Sequence, residues 1–178
     1  MNKARVTQEK LVTHAREFIW RYGYSNVSLR QITTAAGVDV ALVSRYFGGK
    51  QGLFEATLDG AFDLPHVSSP AELVDLTVAL FTDHTHDRGT VSILHLLLMN
   101  AQDEEVGALV RDRQNDQLQS VLETILGAPT PAALFMSVIL GVGIAEKTLH
   151  LGGLAPHDSP EYEHQLRYML EAAIAYKS

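Results

Sequence analysis

Apolar residues recur at intervals of three and four along nearly the whole chain. Nowhere do they alternate with polar residues over the length of a strand, so the pattern predicts helices throughout. Leu11, Ala15, Phe18, Ile19 and Tyr22 share one face of a first helix, with Thr7 as its N-cap, Glu9 in its first turn and Gly23 at its end. Leu29, Ile32 and Ala36 mark a short second helix. Ser28 and Gln31 form a capping box before it, Val27 and Ile32 a hydrophobic staple, and Gly37 supplies a left-handed stop. Asp39 restarts the chain as an N-cap. In the third helix Val43 and Phe47 point inward with Val38, while Val40, Ala41, Ser44 and Arg45 lie on other sides and Leu42 at the margin. After Gly48-Gly49, Leu53, Phe54, Thr57 and Leu58 follow Lys50 along a fourth helix.

The stretch LPHVSSP, Leu64 to Pro70, interrupts this rhythm and predicts a domain boundary. Five further helices are expected, over 71–85, 90–102, 104–126, 131–149 and 160–177, separated by segments such as GAPTP and GGLAPHDSP. The fold class is therefore all-α, with about nine helices. Its organisation reads as a three-helix domain at 1–49, a connecting helix at 50–63 and a helical domain at 64–178. Stripes of apolar and small residues run along the last two helices: Leu134, Val138, Gly141, Val142 and Ala145 on one, Leu166, Met169, Leu170, Ala173 and Ile174 on the other.

Two short helices joined at a glycine, apolar inside and small or polar outside, have the pattern of a helix-turn-helix. Its second helix enters the DNA major groove. The formal net charge of −7 argues against a DNA partner until the chain is divided. Residues 1–50 carry eight Lys/Arg against Glu9, Glu17 and Asp39, a balance of +5; residues 51–178 carry six against eighteen, a balance of −12. Positive charge thus gathers at the helix-turn-helix end, where phosphate neutralisation needs it, and the acidic remainder repels DNA.

From Leu11 to Phe54 the chain resembles the TetR/AcrR family of one-component transcriptional regulators. The resemblance rests on the apolar first helix, Gly23-Tyr24, the run from Ser28 through Arg30 to Ile32, Ala36-Gly37-Val38, the Tyr46-Phe47 pair, and Lys50 before Leu53-Phe54. Val40, Ser44 and Gly49 depart from the residues frequent in that family. By position, the resemblance implies that Ser28 and Arg30 contact phosphate, with Arg30 in reach of a base, and that Tyr46 and Lys50 clamp phosphates. It implies bidentate reading of guanine by Arg45, a hydrogen bond from Ser44, and apolar contact of Val40, Ala41 and Leu42 with a thymine methyl.

The same resemblance implies a homodimer through the last two helices, binding a double-stranded operator, and a small apolar effector held among the middle helices. Phe81, His84, Leu94, His95, Leu98, Met99, Phe135 and Ile139 are the candidates for its lining. The expected activity is that of a sequence-specific regulator, by family habit a repressor released from its operator by a small molecule.

With no cysteine, neither a disulfide nor a thiolate metal site is available. The amino-terminus lacks the apolar core of a signal peptide, and no stretch reaches the ~18 uninterrupted apolar residues of a membrane span. A cytoplasmic protein without a membrane partner or cofactor is expected. The segment Asp83-His84-Thr85-His86-Asp87 offers metal-ligand types, but side chains two apart on a helix do not converge. An all-α metal-dependent enzyme using that cluster is one alternative, and an interaction module that does not bind DNA is another. No nucleophile elbow or phosphate loop supports an enzyme.

Overall fold

The computed structural model describes residues 3–83 and 93–176, and the regular structure among them is helical. Helices α1 (Lys3–Tyr22), α2 (Leu29–Ala36), α3 (Ala41–Phe47) and α4 (Lys50–Thr57) are followed by α5 (Pro70–Thr82), α6 (Ile93–Asn100) and α7 (Gly107–Arg113). A π-helical segment (Gln114–Gln119) leads directly into α8 (Ser120–Leu126); α9 (Pro129–Lys147) and α10 (Pro160–Ala175) come last. Taken as one helix, α7, the π segment and α8 bring the described total to nine.

Several boundaries differ from the expected ones for local reasons. α1 starts a turn before Thr7, whose hydroxyl donates to the Lys3 carbonyl at 3.0 Å inside the helix. Glu9 is likewise interior and pairs with Arg5 at 2.8 Å, an i, i+4 contact that supports the added turn. On α1 the buried face runs through Leu11, Ala15, Ile19 and Trp20, not Tyr22, which is exposed and 6.2 Å from the Phe18 ring. The helix expected from residue 104 opens at Gly107, because the Asp103 carboxylate takes the amides of Glu105 and Val106 into a turn. In the π segment that interrupts it, Leu118 is the buried side chain. The expected ends at Thr85 and Thr90 lie outside the described residues.

Two compact units emerge. One runs up to Asp63 and takes in α6 and α7; the other holds α5 and α8 to α10, and the division falls after Gln114. In the first, α1 packs on α2, α4 and α6, and α3 packs on α4. Leu11, Ala15, Ile19, Ile32, Val43, Leu53, Phe54 and Leu58 are fully buried there. In the second, α10 packs on α9 and α5, and α8 on α9, around Leu73, Val74, Leu122, Phe135, Leu166 and Leu170. Ile93 to Gln114 thus group with the amino-terminal helices.

Polar bonds explain that grouping. The buried Asn100 side chain at the end of α6 accepts the Tyr24 amide at 2.8 Å and donates to the Ile19 carbonyl at 3.2 Å. Beyond it, Asp103 accepts from the Ser25 hydroxyl at 2.6 Å and the Ser25 amide at 3.2 Å.

Candidate nucleic-acid interface

The capping box forms as the sequence demands: the Gln31 amide donates to Ser28 Oγ at 3.3 Å, and Gln31 Oε1 accepts the Ser28 amide at 2.7 Å. At the other end of α2, Gly37 adopts φ +66, and the Val38 amide returns to the Thr33 carbonyl at 3.0 Å. Asp39 Oδ1 then accepts the Ala41 amide at 2.7 Å and opens α3. Two satisfied helix ends therefore fix the turn between α2 and α3.

That turn sorts α3 into two faces. Val43 has no exposed surface, while Val40, Ala41, Ser44 and Arg45 are exposed and Leu42 and Tyr46 half-buried. The Arg45 guanidinium lies 5.8 Å from the centre of the Tyr46 ring, while the residue itself is exposed. Ser28 and Arg30 at the start of α2 are exposed as well. An exposed arginine and hydroxyl on a short helix, beside small residues, suit an approach to base edges and phosphates.

Lys50 is different. Its ammonium donates to the Tyr24 carbonyl at 2.6 Å and sits 4.0 Å above the Tyr24 ring. Burial lowers its pKa against the opposing pull of Glu105 and Asp103. Tyr24 is pushed up to about 12, by burial first and then by the Glu105 carboxylate. The sequence pointed to Lys50 but not to these partners, which lie far along the chain.

Charge is also more evenly divided than the first 50 residues imply. Residues 1–63 and 93–114 together hold ten Lys/Arg and ten Asp/Glu, so attraction for phosphate comes from where the cations stand.

Of the residues expected to line an effector site, Leu94 and His95 are half-buried on α6 and Leu98 and Met99 exposed there, all in the first unit. Phe81 and Ile139 are half-buried and Phe135 fully buried in the second, and His84 lies outside the described residues. So do His86 and Asp87 of the proposed metal cluster. Sequence reasoning passed over Asn100, Asp103, Arg16 and Trp20, all of which act through tertiary hydrogen bonds.

Residues 11–57 match the profile of the bacterial regulatory proteins of the tetR family. No curated protein matches the chain. Among solved structures it is similar to NalD of Pseudomonas aeruginosa, described as the secondary repressor of the MexAB-OprM multidrug efflux pump. The TM-score is 0.69 at 21% identity, over 95% of this chain and 97% of that one. It is also similar to a putative TetR-family transcriptional regulator from Mesorhizobium loti, with a TM-score of 0.58 at 13% identity, over 98% of this chain and 96% of that one. Over nearly its whole length the chain shares the fold of these two structures, and its residues 11–57 carry the amino-terminal domain of the tetR-family regulatory proteins.

Proposed function

We propose, for a chain whose residues 11–57 carry the amino-terminal domain of the tetR-family regulatory proteins, a dimeric repressor that a small apolar molecule releases from its operator. The observation that carries the DNA-binding part is the outward face of α3. Ser44 and Arg45 stand exposed on a helix whose opposite side is fully buried, so they face whatever the domain meets. Arg45 pairs with guanine O6 and N7; Ser44 adds one hydrogen bond; Val40, Ala41 and Leu42 press on thymine methyls. Ser28, Arg30 and Tyr46 hold phosphates and set the register.

One head reads too few base pairs, and a two-fold pair reading half-sites about 34–36 Å apart meets that need. α9 supports a pair. Its stretch Pro129–Glu146 is long and apolar enough to cross a membrane, yet only 33% of it is buried. Leu134 and Gly141 are exposed on it. On α10 the expected stripe is spent within the chain, since Leu166, Leu170 and Ala173 are buried against its own neighbours. The partner face on α10 is instead the row Tyr168, Ala172 and Ala175, all exposed and spaced by four and three.

Repression and release by a ligand rest on the likeness to NalD, a repressor by its description, and on half-buried apolar Phe81 and Ile139 as effector contacts. A DNA-binding regulator works in the cytoplasm. The test is a mobility-shift assay of the purified protein against fragments of its own upstream region, with and without candidate apolar ligands. A retarded band that excess unlabelled random DNA does not remove is expected; no band on any fragment in dilute buffer refutes the reading.

A further inference from the structure

The amino-terminus of α4 is an awkward place for a cation, because the helix dipole is positive there and repels it. Lys50, the first residue of α4, is held in that position by Tyr24, within the field of two carboxylates. The Tyr24 carbonyl accepts from its ammonium at 2.6 Å, the Tyr24 ring lies 4.0 Å beneath it, and the carboxylates of Glu105 and Asp103 supply opposite charge. Tyr24 itself is fixed through its amide, which Asn100 binds, and through its ring, which meets Phe54 edge-on at 5.5 Å. Asp103 ties Ser25 beside it and at the same time caps the turn leading into α7. One polar clasp thus joins the α1–α2 turn, the start of α4 and the α6–α7 turn.

We propose that Lys50 serves DNA binding from inside this clasp, as the positioning cation that joins α4 to Tyr24 and the acidic α6–α7 turn, and not as a ligand of phosphate. The inference rests on the DNA-binding reading above. A phosphate brought to Lys50 meets the field of Asp103 and Glu105 as well. If the ammonium turned outward, the carbonyl of the buried Tyr24 would keep only the longer bond from the Val27 amide, at 3.3 Å. Charge-assisted bonds of this kind are the strong ones, and a stacked cation adds to them. Lys50 then sets the angle at which α4 leaves α3, and through α4 the aim of Ser44 and Arg45.

The experiment compares full-length wild type, Lys50→Met, Lys50→Gln and Asp103→Asn by fluorescence anisotropy on a labelled duplex from the upstream region, across a salt series. Amide hydrogen exchange of the Tyr22–Ser28 stretch is followed in the absence of DNA. Lys50→Met should weaken binding to every duplex about tenfold, the loss of one charged hydrogen bond, with its salt slope unchanged. Exchange at the turn should quicken, and Lys50→Gln, which retains an N–H for the Tyr24 carbonyl, should recover part of both. Asp103→Asn should also weaken binding although it removes a negative charge. A slope reduced by about 0.9, the signature of one lost phosphate contact, overturns the proposal whatever the exchange shows. Tighter binding by Asp103→Asn, or unaltered exchange in Lys50→Met, overturns it too. Should wild type bind no duplex, the DNA-binding reading fails, and the exchange data still judge the clasp by themselves.

Discussion

The Arg16 guanidinium on α1 donates to the main-chain oxygen of Thr57, the last residue of α4, through Nη2 at 2.8 Å and Nε at 3.2 Å. It also lies 5.0 Å over the Trp20 ring, and the Trp20 indole N–H donates to the Thr57 hydroxyl at 3.0 Å. A cation at a helix C-terminus satisfies carbonyls that no later turn can reach. With Lys50 held at its other end, α4 is fastened to the rest of its unit at both termini.

Removing that fastening should therefore cost stability. Arg16→Ala is expected to lower the unfolding free energy by about 1–3 kcal/mol, read from urea denaturation. Arg16→Lys should restore only part of it, because an ammonium lacks the planar fork that spans two acceptors. A fully stable Arg16→Ala protein would mean that α4 needs no such anchor.

Gly52 is the tightest point of the α3–α4 joint. A Cβ there would stand 1.9 Å from the Phe47 carbonyl oxygen and 3.1 Å from its carbon, both main chain that cannot swing away. Gly52→Ala should destabilise by at least about 2 kcal/mol and weaken DNA binding as α3 tilts, despite alanine's better helix propensity. Thermal melting and anisotropy together check this, and unchanged values in both would contradict the close approach.

Local chemistry was readable in advance wherever its partners were neighbours in sequence. The Ser28–Gln31 box, the Gly37 stop and the Asp39 restart each need only three or four residues, so α2 and α3 and their exposed face followed from the chain alone. Trp20 escaped because its helical position is one step off the apolar stripe, and only Thr57 across the unit gives its N–H a partner. Asn100 and Asp103 escaped for the same reason: they close on Tyr24 and Ser25, whose distance along the chain no local pattern encodes. The α10 stripe was read correctly as apolar. Periodicity says which face is apolar, but Leu166 and Leu170 turn inward because α9 and α5 cover them.

Asp103 gives the clasp a pH dependence. Burial alone would raise its pKa, but hydrogen bonds from the Ser25 hydroxyl and from the amides of Glu105, Val106 and Ser25 outweigh it and hold the carboxyl below its ordinary value of 3.8. A depressed folded-state pKa contributes stability that is present above the unfolded value and lost as pH falls through the folded one. Asp103→Asn should accordingly lower the urea midpoint near neutral pH, with the gap to wild type narrowing below about pH 4. A gap that widens in acid would reverse the sign and contradict the bonding.

The pairing surface is testable apart from DNA. Tyr168 is 70% exposed on the proposed α10 partner face, where a charge would be desolvated in a dimer and harmless in a monomer. Tyr168→Glu should raise the dimer dissociation constant at least about tenfold in sedimentation equilibrium and leave the thermal midpoint of the monomer unchanged. Wild-type dimerisation in the variant would place the seam elsewhere.

Arg45 offers the most direct trial of the whole reading. Wild type and Arg45→Ala are titrated at one fixed salt concentration against the best upstream duplex and against the same duplex with its guanines exchanged. The wild-type protein should prefer the native duplex, and Arg45→Ala should lose that preference by about 1–3 kcal/mol while keeping weak binding to both. Equal preference in the two proteins would mean that α3 does not read bases through Arg45.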